Sequence, residues 1–112
     1  MILLISAQKP ELDGLVDHRF GRSAWLIKMD TDTKKWEAFP NPGASQSSGA
    51  GVAAAQFVVD QNINTVISGD FGPHAANAFK AAAIEMRLFT GEISTVQQAI
   101  EYSLQDKLPV FN

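Results

Sequence analysis

Cysteine is absent from this 112-residue chain. That single absence excludes disulfides, thiol catalysis and cysteine-ligated clusters together. Histidine is scarce: His18 and His74 are the only two. Any metal must then be held by these imidazoles, by carboxylates or by methionine sulfur. Basic residues are few as well. Nine lysines and arginines face twelve aspartates and glutamates, a formal net charge of −3. That leaves too little positive charge for a sequence-independent grip on nucleic acid. No apolar run reaches the roughly 18 residues of a membrane span. Residues 2–5 are too short for a signal-peptide core, and no basic leader precedes them. The expectation is a cytoplasmic protein without nucleic-acid or membrane partners.

What is present is an ordinary globular composition, 46% hydrophobic and 19% charged, which suits one domain over residues 1–112. ILLIS (2–6) is a continuous apolar run and predicts a central strand. Residues 7–23 read as a long loop broken by Pro10, Gly14 and Gly21. AWLIKMD (24–30) and KWEAF (35–39) read as strands joined by a tight turn, TDTK, in an antiparallel hairpin. NPGASQSSG is a loop, and alanine-rich residues 50–61 a helix lying flat on a sheet. NTVISG (64–69) is a fourth strand. Pro73 starts a helix running to about Ala83, and IEMRLF (84–89) is a fifth strand. Ser94 and Gln97 give an S-x-x-Q capping box before a last helix, one face of which is marked by Val96, Ala99, Ile100 and Leu104. The tail DKLPVF is expected to dock on the surface. The alternating second half requires parallel strands with right-handed crossovers. The simplest result is an α/β fold with a five-stranded mixed sheet, order 3-2-1-4-5, strand 2 antiparallel, flanked by helices.

That topology sends the loops at 7–23, 41–49, 69–73 and 90–94 to one edge of the sheet. Strand order reverses there, which is the usual ligand crevice of open α/β sheets. Three stretches at this edge carry chemistry. In VDHRFGRS (16–23), His18 is a metal ligand or acid–base group near neutral pH. Arg19 and Arg22 offer guanidinium forks to an anion, and Gly21 permits close backbone approach. The plainer reading is a surface loop plugged into the core by Phe20. SSGAGVAAA (47–55) contains G-x-G-x-x-A at a helix start, from Gly49 through Gly51, which offers free N–H groups to an anion. Asp70 follows at about the distance of a ribose-binding carboxylate. Loop residues 41–48 nevertheless separate the motif from its strand, and that strand belongs to a hairpin, so a dinucleotide fingerprint is disfavoured. The plainer reading is tight helix–sheet packing. In SGDFGPHAANAF (68–79), Gly69 and Gly72 flank a bend, His74 lies in the first helical turn, and Asp70 is a candidate cap. No G-x-S-x-G accompanies either histidine, so a nucleophilic triad is unsupported. Asp13, Asp17 and Asp70 could gather at the edge, so a divalent-metal hydrolase stays open, although their spacing gives it no positive support. Met1, Met29 and Met86 read as strand or core residues. Trp25 and Trp36 fit core or interface equally.

Three stretches in order, LDGLVDHRFGRSAWLIKMD, NPGASQSSGAGVAAAQFVVDQNINTVISGDFGPHAANAFKAA and GEISTVQQAIEY, resemble the dinitrogenase iron–molybdenum cofactor biosynthesis family. Its members are small nitrogenase accessory proteins and related stand-alone domains. The resemblance spans about residues 2–104. It implies a three-layer, ribonuclease-H-like α/β/α fold without the nuclease's carboxylates. It further implies a non-enzymatic role: binding and carrying iron–molybdenum cofactor or its iron–sulfur precursors, alongside cofactor-assembly proteins. The family's F-G-R loop falls on Phe20, Gly21 and Arg22, with His18 beside it. Its glycine-rich helix start falls on Gly49 and Gly51. Its second helix start falls on Gly69, Gly72 and Pro73. This chain departs from the family in placing His74 where asparagine is frequent, and in lacking the cysteines some members have. Transient capture fits better than a thiolate-held cluster: His18 and His74 as metal ligands, Arg19 and Arg22 on the anionic rim, N–H donors near Gly49–Gly51. The alternatives are a phosphate- or nucleotide-binding enzyme or sensor at the same helix start, and a regulatory domain with no ligand.

Overall fold

A computed structural model describes all 112 residues. At its centre is β1, Ile2–Ala7. Its run of apolar side chains serves two cores, because successive strand residues point to opposite faces. Leu3, Ile5 and Ala7 enter one core and Leu4 the other. On one side β1 pairs antiparallel with β2, Trp25–Asp30, which pairs antiparallel with β3, Trp36–Pro40. On the other it pairs parallel with β4, Thr65–Ser68, which pairs parallel with β5, Glu85–Leu88. The order β3-β2-β1-β4-β5 is the predicted one.

Helices α1, Ala50–Val59, and α2, Pro73–Ala81, cover one face. They pack through Ala54, Ala55, Val58, Ala75, Ala76 and Phe79. Small side chains let helix backbones lie close to the strands, which is why α1 is apolar on most sides. Helix α3, Val96–Leu104, covers the other face with Val96, Ala99 and Ile100. The result is three layers, as expected.

Several boundaries differ from the sequence reading. Helix α1 stops at Val59 because the chain turns at Asn62, φ 62°, and α2 stops at Ala81 before Ala83, φ 58°. The capping box is one residue later than predicted. Thr95 accepts from the Gln98 N–H at 3.2 Å, and the Gln98 side chain accepts from the Thr95 N–H at 3.1 Å. The stretch STVQQ satisfies the pattern in both registers. The later one wins because it begins the helix at Val96, which is fully buried. Residues 7–23 are more than a loop. They hold a single helical turn at Phe20–Arg22 and bridges from Val16 to Ala7 and from Leu15 to Thr95.

The tail does more than dock. The Leu88 N–H donates to Pro109 and the Phe111 N–H to Met86, each at 2.9 Å, so the outer edge of β5 is closed. Leu108 is buried and Phe111 packs on Phe71. The outer edge of β3 is open. Asp30 N–H bonds to Lys35 and Asn41 N–H to Ala24. By strand alternation Trp36 and Ala38 turn their backbone groups outward, and Pro40 has no N–H to offer. Met29 and Met86 are core residues, while Trp36 is 42% exposed.

At the end of β2, where the hairpin turn begins, the carboxyl of Asp30 is held below its ordinary value. The Asp32 N–H donates to it, joined by that of Thr33. A lowered folded-state value means the turn's contribution is complete above the ordinary carboxylate range and is lost as pH falls through the lowered value. The Asp32 and Thr33 amide resonances are expected to move with an acid midpoint below that of a free aspartate, read by NMR titration.

Candidate functional site

The histidine–arginine loop begins from an anchored residue, Asp17. Its N–H donates to the Ser6 carbonyl at 3.0 Å and its own carbonyl accepts from Ser6 Oγ at 2.6 Å. Its carboxylate accepts from the Arg19 N–H at 2.9 Å and faces the Arg19 side chain at 3.3 Å. Asp17 is therefore engaged at every polar atom. With Arg19 69% exposed, the ion pair itself contributes little. His18 stands between these two tied residues.

Next, Phe20 drops into the core against Phe71 and Phe79, at ring-centre distances of 5.8 and 5.3 Å. The helical turn Phe20–Arg22 is thereby fixed against α1: a methyl group at Gly21 would stand 3.1 Å from the Gly51 nitrogen. Asn41 holds the turn from the other side. Its side-chain amide donates to the Phe20 carbonyl at 2.9 Å and its oxygen accepts from the Gly43 N–H at 3.0 Å. The Arg22 guanidinium donates to the Gln46 carbonyl in the same loop.

His18 itself lies over the end of β4. A methyl group at Gly69 would come within 2.5 Å of His18 Nδ1 and 2.7 Å of its Cα, so only glycine leaves room for the ring. Phe89 meets that ring in a T-shaped contact with centres 4.9 Å apart. His18 remains exposed to solvent on its outer side. An open cleft of about 440 Å³ runs beside it, lined by Gln8, Asp17, His18, Arg19, Arg22 and Ala24. Two guanidinium groups face one carboxylate there, so the cleft is locally positive in a chain of net charge −3.

The other predicted residues are not in the wall of this cleft. Gly49 caps α1 in a left-handed conformation, φ 72°, with no side-chain cap. Gly51 follows it inside the helix. Gly72 caps α2 with extended backbone, and His74 is exposed in its first turn. The cleft lining does not include His74. Asp70 accepts from its neighbour Phe71 at 2.8 Å instead of capping α2. No three histidine, aspartate or glutamate side chains gather closely enough to hold a metal ion. A closed protein cage for a metal is thus not what the site offers.

Gly69→Ala is expected to leave the sheet intact and expel His18 from its seat, at a cost of about 1–3 kcal/mol. Loss of the nuclear Overhauser contact between His18 and Phe89, with the core pattern retained, is the check.

Sequence reasoning missed four residues that build this arrangement: Ser6, Asn41, Ser68 and Phe89. Asn41 carried a signal, since N-P-G is a turn whose first side chain commonly bonds its own backbone two residues on. The serines and Phe89 carried none beyond their place in strands.

The whole chain fits a known pattern as well. Its sequence matches the family described as dinitrogenase iron-molybdenum cofactor over residues 1–105. The chain belongs to that family. No curated protein sequence matches it. Among solved structures it is similar to the apo form of the orange protein from Desulfovibrio gigas. There the identity is 34%, covering 98% of this chain and 92% of that one, with a TM-score of 0.90. It is also similar to a NifB-type protein of the DUF35 family from Thermotoga, with 26% identity, 97% and 91% coverage, and a TM-score of 0.83. A dinitrogenase-type protein from Methanocaldococcus jannaschii shares the fold at 18% identity, 100% and 95% coverage, and a TM-score of 0.73. Like these neighbours, this member of the dinitrogenase iron-molybdenum cofactor family has the mixed α/β sheet. It also has no helix long and apolar enough to cross a membrane.

Proposed function

We propose that this chain is a non-enzymatic carrier that takes up an anionic metal–sulfur cargo, iron–molybdenum cofactor or its iron–sulfur precursor, and hands it to cofactor-assembly proteins. The observation that carries the reading is His18, wedged between Gly69 and Phe89 yet open to a cleft that Arg19 and Arg22 make positive. An imidazole so held presents a nitrogen to a metal without having to be ordered first, and guanidinium groups suit the anionic rim of a cluster. His74, at the start of α2, is the proposed second ligand. Phe20 and Gly21 hold the loop in place, and Gly49, Gly51 and Gly72 leave helix-start N–H groups for anionic atoms. Membership in a family named for iron–molybdenum cofactor supports this cargo class.

A carrier must also let go. Structural metal sites close around their ion with four protein ligands, whereas this chain brings no three candidate ligands together. Two or fewer protein ligands favour handover.

The test is an anaerobic titration of the purified chain with isolated iron–molybdenum cofactor and with its iron–sulfur precursor, followed by absorbance and by metal content after gel filtration. Stoichiometric uptake by the wild type is expected, abolished in His18→Ala/His74→Ala, with the single variants apportioning the loss. A wild type that takes up neither cargo overturns the proposal. Binding of nucleotide or inorganic phosphate in place of a cluster, unaffected by the histidine substitutions, would move the function to the glycine-rich helix start.

A further inference from the structure

Two hydroxyl groups are buried where an all-apolar sheet would serve stability better. Ser6 and Ser68 are both fully inaccessible, at the ends of the two central parallel strands, and their Oγ atoms are 2.7 Å apart. Burying a hydroxyl is unfavourable unless it is fully bonded. Both are bonded, and the bonds run in one direction. Ser6 Oγ is also 2.6 Å from the Asp17 carbonyl oxygen, which can only accept. The single proton of Ser6 therefore goes to Asp17, and Ser68 donates to Ser6. The chain Ser68 to Ser6 to Asp17 has a fixed sense and ends one residue before His18.

We infer that Ser6 and Ser68 are positioning residues for His18: a buried hydroxyl relay that locks the Asp17 peptide to the sheet and thereby aims the imidazole into the cleft. The inference rests on reading His18 as the cargo ligand. Ser6 holds Asp17 twice, through its backbone carbonyl and through its side chain. The Asp17 carboxylate then ties the N–H of Arg19. His18 thus has a hydrogen-bonded residue on either side, which restrains its backbone. The end of β4 and the residue that follows it both contribute, Ser68 with its hydroxyl and Gly69 with the empty space against which the ring lies. A donor that merely satisfied the Asp17 carbonyl would need no second hydroxyl behind it. The second one directs the first, since Ser6 has no other proton acceptor to turn toward once Ser68 donates to it.

The order of the relay sets the test. In the cargo-free full chain, Ser6→Ala is expected to abolish the nuclear Overhauser contacts from the His18 ring to Phe89 and to Gly69, while amide resonances of α1 and α2 stay in place. Ser68→Ala leaves the Ser6–Asp17 bond and is expected to keep those contacts with broadened His18 signals. Affinity for isolated iron–molybdenum cofactor should fall about tenfold in Ser6→Ala and less in Ser68→Ala, with stoichiometry unchanged. Should Ser6→Ala fail to fold, Ser6→Cys, close in shape with a weaker donor, takes its place with the same expectation in smaller measure. Unchanged His18 contacts in the Ser6 variant, or equal loss in both variants, would overturn the inference. If the wild type binds no cofactor, the carrier reading falls on its own, and the His18 contacts still decide the relay.

Discussion

Phe20→Ala should destabilise the protein by about 3–5 kcal/mol, the usual range for truncating a buried phenylalanine. Against a whole stability of about 5–15 kcal/mol for a domain, that brings the fold near its limit. Phe20 is 2% exposed and is the only buried residue of its helical turn. Its ring touches Phe71, from the loop after β4, and Phe79, from α2, and Phe71 continues to Phe111 in the tail. The cavity would open where the turn, the loop after β4 and α2 meet, so the surroundings have little freedom to collapse into it. The site suffers with the core, because Phe20 is what keeps Arg22 beside the 41–49 loop. Urea denaturation followed by tryptophan fluorescence gives the loss. Phe20→Leu, which refills most of the space, should recover more than half of it.

Gly43→Ala is the second large effect, and its mechanism is collision rather than void. An added methyl would run into the carbonyl oxygens of both Ala50 and Gly21. Neither is the end of a flexible side chain. One is the first residue of α1 and the other the middle of the Phe20–Arg22 turn, so one of the two backbones must withdraw. The expected cost is at the upper end of the 1–3 kcal/mol typical of overpacking. More telling, the Asn41 bonds to Phe20 and Gly43 should break together. Hydrogen exchange at the Gly43 and Ser23 amides, rising well beyond the change in global stability, would report it. A variant with wild-type melting and unchanged exchange would show that the two loops are not held in common.

The sheet order was legible because each step rests on local signals. An apolar run, a hairpin with a turn, and two glycine- or proline-marked helix starts leave few ways to connect five strands. The gathering of the 7–23, 41–49 and 69–73 loops followed from that order alone. What was illegible depends on partners far away in sequence. Ser6 looks like a small interruption of ILLIS until Asp17 and Ser68 stand beside it. Phe89 looks like the end of an apolar strand until His18 lies on it. The capping register could not be chosen from STVQQ, because both registers fit and burial of Val96 decides. The pairing of residues 109–111 with β5 was invisible for another reason: a segment of three residues has no period, and only the sheet reveals which strand is left at the margin.

The closed margin of β5 and the open one of β3 have a consequence for assembly. Copies of a protein can add strand to strand without end only if each offers two free margins. Here the 109–111 segment occupies one and leaves only the backbone of Val110 facing outward, so contact through β3 joins two molecules and then meets almost no strand to extend. Longer edge-to-edge growth would first have to peel the tail away.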